Sequence, residues 1–259
     1  MYKIENTLYH IGTSLGNGLY DGFHPTHGYV TIKKMFSQQE LEIIQKVQGH
    51  SSFPRIYDTW QEGRNQFIAM TKIDTTLNIH LHKNRMSLEE IRECFIQVTR
   101  GIEHLHDNKV VHFNLTPSHI GVSFQDEKIS YYIIHFDQAE YTETVSSSVF
   151  QDDIIRFAIA KTDLIYRSYE GIMLLPLTEA VDVWSLGCIL YEMMTQTPLF
   201  DDMEACSDFN HNVFIAGKLK IDKLDVTHPI RKNMVRLLNR CIRRNSTTRI
   251  KTKELLSLV

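Results

Sequence analysis

A few histidines, one lysine and scattered carboxylates carry most of the chemistry available to this sequence. The run Val110-Val111-His112-Phe113-Asn114-Leu115-Thr116-Pro117-Ser118-His119-Ile120 sets two imidazoles around an amide and a hydroxyl. A second run, His135-Phe136-Asp137, puts an imidazole close to a carboxylate. Imidazole nitrogen accepts a borderline metal such as Zn²⁺ but is a poor ligand for Mg²⁺, which prefers oxygen. Near the start, Leu15-Gly16-Asn17-Gly18 reads, taken alone, as a hairpin turn, and Lys33 as a solvated strand lysine. With 13 histidines in the chain, most individual imidazoles are expected to be ordinary surface or core residues.

Those residues need elements to hold them in place. Gly28-Tyr29-Val30-Thr31-Ile32-Lys33-Lys34 alternates apolar residues as a strand does, and Phe67-Ile68-Ala69-Met70 and residues 129–134 read the same way. Residues 37–47 have helical spacing at Leu41, Ile44 and Val47. Ser87-Leu88-Glu89-Glu90 has the form of a capping box. Ile91, Phe95, Val98, Ile102 and Leu105 then recur at steps of 4, 3, 4 and 3, an amphipathic helix leading into the His112 run. The segment 180–192 is nearly all apolar and reads as a buried helix.

Composition sets outer limits. The 259 residues suffice for one large domain or two lobes sharing a cleft, with 42% apolar and 23% charged residues. A net charge of −3 argues against nucleic acid or an anionic membrane as partner. No apolar run reaches the roughly 18–20 residues of a membrane span, and Met1-Tyr2-Lys3-Ile4-Glu5-Asn6 does not resemble a secretory leader. Cys94, Cys188, Cys206 and Cys241 are widely spaced, which favours a reducing compartment, cytoplasmic or nuclear.

The ordered motifs resemble those of protein kinases over roughly residues 11–258. The His112 run is similar to the catalytic loop V-x-H-R-D-L-K-P-x-N-I, and Leu15-Gly16-Asn17-Gly18-Leu19-Tyr20-Asp21-Gly22-Phe23 to the glycine-rich loop. Val30-Thr31-Ile32-Lys33 resembles V-A-I-K, His135-Phe136-Asp137 stands for D-F-G, and Tyr166-Arg167-Ser168-Tyr169-Glu170 resembles Y-R-A-P-E. Asp182-Val183-Trp184-Ser185-Leu186-Gly187-Cys188 matches D-V-W-S-x-G-C, and Asn245 to Ile250 resembles D-P-x-x-R-I. The flavour is that of serine/threonine kinases. The resemblance implies an α+β, bilobal fold in one domain, 1–259. Its small β-rich N-lobe with one main helix spans about 1–70, its hinge about 71–74 and its helical C-lobe about 75–259.

By the same resemblance, Gly16, Gly18, Lys33, Met70 and Thr71 line a nucleotide site. Glu40 pairs with Lys33, with Glu42 as second choice. Tyr20 takes the tip of the glycine loop, Asp21 stands where phosphates pass, and Phe23 roofs the adenine opposite Gly121. Glu170, Asp182 and Arg249 are structural, with Arg249 pairing to Glu170. The chemical letters, however, have changed. Asn114 replaces the proton-accepting Asp, Thr116 the loop Lys, His119 the metal-binding Asn, His135 the metal-binding Asp and Asp137 the Gly of D-F-G. Phe113 replaces the Arg that clasps an activation-segment phosphate, and Asp163 a threonine that contacts the catalytic Asp.

Losing one electrostatic donor costs roughly 10²–10³ in rate; losing base, metal ligands and loop lysine together predicts no turnover. The expectation is therefore a pseudokinase, not an enzyme, with no required cofactor, weak ATP or ADP binding and no Mg²⁺. It would act as a scaffold, decoy or allosteric regulator for a protein partner, a kinase or a kinase substrate. The alternative is an atypical serine/threonine kinase in which Asp137 or Asp163 supplies a lost carboxylate. A pair of imidazoles, His119 and His135, is a minor candidate for Zn²⁺. Residues 171–175, Gly-Ile-Met-Leu-Leu, are a candidate exposed patch or else part of the core, and Ser146 to Ser148 are expected on an exposed loop.

Overall fold

In the computed structural model, residues 9–125, 128–146, 163–200 and 228–258 are described. Met1 to Asn6, Cys206, Ser147 and Ser148 lie outside them. The first lobe is a five-stranded antiparallel sheet: β1 (His10–Gly16), β2 (Leu19–His24), β3 (Gly28–Met35), β4 (Ile56–Glu62) and β5 (Asn65–Thr71), in the order β1-β2-β3-β5-β4. The alternation of β3 works because both faces are covered. Val30 and Ile32 pack outward with Tyr9, Phe67 and Ala69, while Thr31 and Lys33 turn to the other side, also buried. Helix α1 (Gln38–Lys46) covers that second face with Leu41, Ile43 and Ile44. Ser37 caps it by accepting from the Glu40 N–H.

Strand β5 passes through residues 72–74 into the short strand β6 (Thr75–Thr76) and helix α2 (Leu77–Lys83). Helix α3 (Leu88–Asp107) then forms as its spacing predicts. Ser87 Oγ accepts from Glu90 N–H while the Glu90 carboxylate accepts from Ser87 N–H, closing both halves of the capping box. The His112 run is framed by β7 (Val110–Val111), β8 (Ile120–Gln125) and β9 (Lys128–Ile133). The order β6-β8-β9 forms one sheet, and β7 pairs with β10 (Glu140–Tyr141).

The rest of the second lobe is helical: α4 (Thr142–Ser146), α5 (Tyr169–Ile172), α6 (Ala180–Thr195), α7 (Pro229–Cys241) and α8 (Thr252–Leu256). Helix α6 is buried from Val181 to Met194 and forms the hub against α3 and α7. Glu170 and Arg249 form a bidentate buried pair at 2.6 and 2.8 Å, and Arg249 donates further to the carbonyls of Ala180 and Arg243. Met173, Leu174 and Leu175 are exposed, so that stretch is surface and not core, whereas Gly171 is buried. Cys94, Cys188 and Cys241 are buried. Among the described residues no helix is long and apolar enough to cross a membrane.

Candidate active site

The cleft between the lobes is assembled around two carboxylates. Glu40 of α1 pairs with Lys33 of β3, as the resemblance implied, and both side chains are buried. The same carboxylate accepts from the N–H groups of Phe36 (3.0 Å) and Phe136 (3.3 Å), so it ties sheet, helix and the 135–137 turn together. Below, Asp182 at the start of α6 accepts from the N–H of His112 and of Phe113, each at 2.9 Å, and lies 3.0 Å from His106 Nε2. A carboxylate holding three donors is satisfied while fully buried. His106 carried no signal in the sequence, because its partner lies 76 residues away.

On that frame the histidines gather. His112 presents Nδ1 to the Asn114 N–H (3.3 Å) and Nε2 toward the Ile134 carbonyl (3.4 Å). His119 Nδ1 donates to the Asn114 carbonyl at 2.6 Å, and its ring lies 4.9 Å from that of His135. Burial holds all three imidazoles neutral. It depresses His112 to about 4, and burial together with the Lys33 charge depresses His135 to about 2. His119 is also lowered by burial, though its bond to Asn114 and the nearby Asp137 and Asp163 oppose the shift. Phe113 and His135 both have φ near +60°, a region that costs a non-glycine residue energy and collects at functional sites.

Two imidazoles at the metal positions do not fit Mg²⁺, and among the described residues no three His, Cys, Asp or Glu side chains converge to hold a metal. The zinc reading of His119 and His135 meets the same shortfall, since Asp137 is not joined to them as a third ligand. Its carboxylate accepts instead from Gln138 Nε2 at 2.9 Å. Asp163 keeps contact with position 114 by another route: its backbone N–H donates to Asn114 Oδ1 at 3.2 Å. Thr116 is buried beside the loop.

The upper wall of the cleft corrects several expectations. Gly16 and Gly18, both at positive φ, flank Asn17 in a tight hairpin between β1 and β2, so the tip is Asn17-Gly18 and not Tyr20. Tyr20 packs on the outer face, against the Val30 cluster. The register pairs Asp21 with Thr31 and Phe23 with Tyr29, which makes Asp21 the residue opposite Thr31. Phe23 sits further out, half exposed and edge-on to Tyr29. The Asp21 carboxylate is paired with Lys72. Met70 is buried in β5 opposite Thr31, at the back of the cleft. Thr71 faces away: its hydroxyl accepts from Arg55 N–H at 3.0 Å and its N–H donates to the Arg55 carbonyl at 2.9 Å.

Residues 27–258 match the protein kinase domain family, and the chain belongs to that family. It is 25% identical over 248 residues to the probable serine/threonine-protein kinase glkA of Dictyostelium discoideum, covering 89% of this chain and 49% of that protein. It is 26% identical over 188 residues to a probable CTD kinase subunit alpha homolog of Encephalitozoon cuniculi, covering 68% and 53%. A third relative, the mitogen-activated protein kinase pmk-2 of Caenorhabditis elegans, is 27% identical over 215 residues, covering 72% and 50%. The chain thus spans about half the length of these relatives. Their names correct the expectation of a non-enzyme, since relatives named as kinases, one of them as a serine/threonine-protein kinase, point to an enzyme. The substitutions at 114, 116, 119, 135 and 137 are therefore departures from the motifs of the family to which the chain belongs.

Proposed function

We propose that this chain is an atypical serine/threonine protein kinase domain that transfers a phosphoryl group from ATP to a protein hydroxyl. The observation that carries the reading is the buried Lys33–Glu40 pair, bonded onward to the Phe136 N–H. A lysine held there by a carboxylate has its ammonium fixed beside the position where ATP phosphates would lie, a preorganised charge in a water-poor cleft. The likeness to relatives named as serine/threonine-protein kinases supports the choice of substrate hydroxyl.

The proton leaving that hydroxyl needs an acceptor, and Asn114 is neutral. His119 meets the requirement better. Its Nδ1–H is committed to the Asn114 carbonyl, so the neutral ring has its lone pair at Nε2. The negative charges of Asp137 and Asp163 favour the imidazolium that would form. These two carboxylates act through His119.

The test is incorporation of labelled γ-phosphate into a serine- and threonine-containing protein mixture by the purified chain, with and without divalent ions. Lys33→Met is expected to abolish it and His119→Gln to lower it by about 10²–10⁴, the usual span of general-base catalysis. Incorporation by wild type no greater than by Lys33→Met would end the proposal.

A further inference from the structure

The segment joining the lobes occupies the ground a nucleobase would need. Ile73 is 2% exposed, and its N–H donates to Thr31 Oγ1 at 2.8 Å. Its side chain lies against Gly121, so closely that a Cβ added at 121 would stand 3.0 Å from both Cδ1 and Cγ2 of Ile73. By the kinase resemblance Gly121 lies beneath the adenine ring and Thr31 stands for the Ala of V-A-I-K, and Ile73 touches both. One residue earlier, Lys72 pairs with Asp21, the strand neighbour of Thr31. Thr31, the acceptor of the Ile73 N–H, is 0% exposed.

Thr31 supplies what an alanine in V-A-I-K cannot: an acceptor for a backbone N–H. Gly121 supplies space where a larger side chain would exclude Ile73. The two departures fit each other, and each leaves room for or binds the same residue. An N–H already bonded at 2.8 Å is unavailable to a ligand, because a second acceptor must first displace the first.

We propose that Thr31 and Ile73 form a latch that shuts the nucleobase slot, with Asp21–Lys72 as its outer clasp. Adenine nucleotide enters only when residues 72–73 swing away from β2 and β3. The inference rests on the reading of this cleft as an ATP site. Because only the unlatched fraction binds, apparent affinity falls in proportion to that fraction, and releasing the latch restores it.

Two readouts on the full chain separate the latch from the ATP site. The first is hydrogen exchange at the Ile73 amide, expected to be protected in wild type and at least about fivefold faster in Thr31→Val, the factor one neutral hydrogen bond supplies. Equal exchange in the two would overturn the latch whatever the ligand does. The second is calorimetric binding of ADP, expected to be at least about tenfold tighter in Thr31→Ala/Ile73→Ala than in wild type. Should the double variant fail to fold, Thr31→Val serves for both readouts, with ADP binding about fivefold tighter. ADP bound equally tightly by wild type and variant would refute the gate and leave the ATP site standing. Binding by neither, with the amide still protected, would refute the gate and the ATP site together.

Discussion

Two buried imidazoles within one cleft, His112 and His135, make the protein sensitive to acid at the level of single side chains. Because the folded state holds His112 and His135 neutral, the unfolded chain binds more protons at any pH between about 6.5 and their folded values. Stability is therefore complete above about pH 6.5 and is lost as pH falls. Each group removes about 2 kcal/mol between pH 7 and pH 5. His135→Asn tests this without disturbing the backbone, since asparagine tolerates the left-handed φ of 63°. Urea unfolding at the two pH values is expected to show about 2 kcal/mol less acid destabilisation in the variant. An unchanged difference would mean that His135 is not held neutral by the fold. The lowered values were not legible in the sequence: they arise from burial and from Lys33, which lies 102 positions from His135 and meets it only across the cleft.

Helix α6 shows how an element can reverse a general rule. In an exposed helix, glycine to alanine gains about 1 kcal/mol. At Gly187 the added Cβ would stand 2.7 Å from Cys241 Cβ on α7 and from Ile242 Cδ1. Gly187→Ala is thus expected to lower stability by about 1–3 kcal/mol, as overpacking does, and a stabilised variant in chemical denaturation would contradict that packing. The apolar run made the helix readable, as did the capping box of α3, since both depend on neighbours in sequence. Gly187 itself carried no sign of its role, which is the closeness of a second helix. The same holds for the first hairpin. Glycines 16 and 18 were visible, but the register that sets Asp21 against Thr31 depends on β3 and so displaced Phe23 from its expected place.

For the whole molecule, the ties between distant segments decide what the two lobes can do. Arg249 and Glu170, 79 residues apart, are both buried and matched in geometry. Arg249→Met leaves the Glu170 charge without its partner and is expected to cost about 3–5 kcal/mol. Urea unfolding of the pair as single and double variants checks this, and a double variant no better than Arg249→Met alone would deny that the stranded charge is the cause. Glu40 plays the corresponding part between the lobes, since it bonds Lys33 in the sheet and Phe136 in the cleft. Helix α1 must therefore stay docked for the lysine to be positioned.

The order of residues alone is enough for the family, the alternation of β3, the capping box of α3, the Lys33–Glu40 and Arg249–Glu170 partners, and the altered letters at 114, 116, 119, 135 and 137. All of these are either local patterns or members of an ordered series of motifs, so the order of residues suffices to find them. It takes the folded chain to show that Asp21 turns to Lys72, that Thr71 faces Arg55, and that Ile73 fills the space between Thr31 and Gly121. Those outcomes depend on which side chain reaches a given volume first when separate segments close around it. Burial and hydrogen-bond satisfaction settle that in three dimensions, and no spacing along the chain records it.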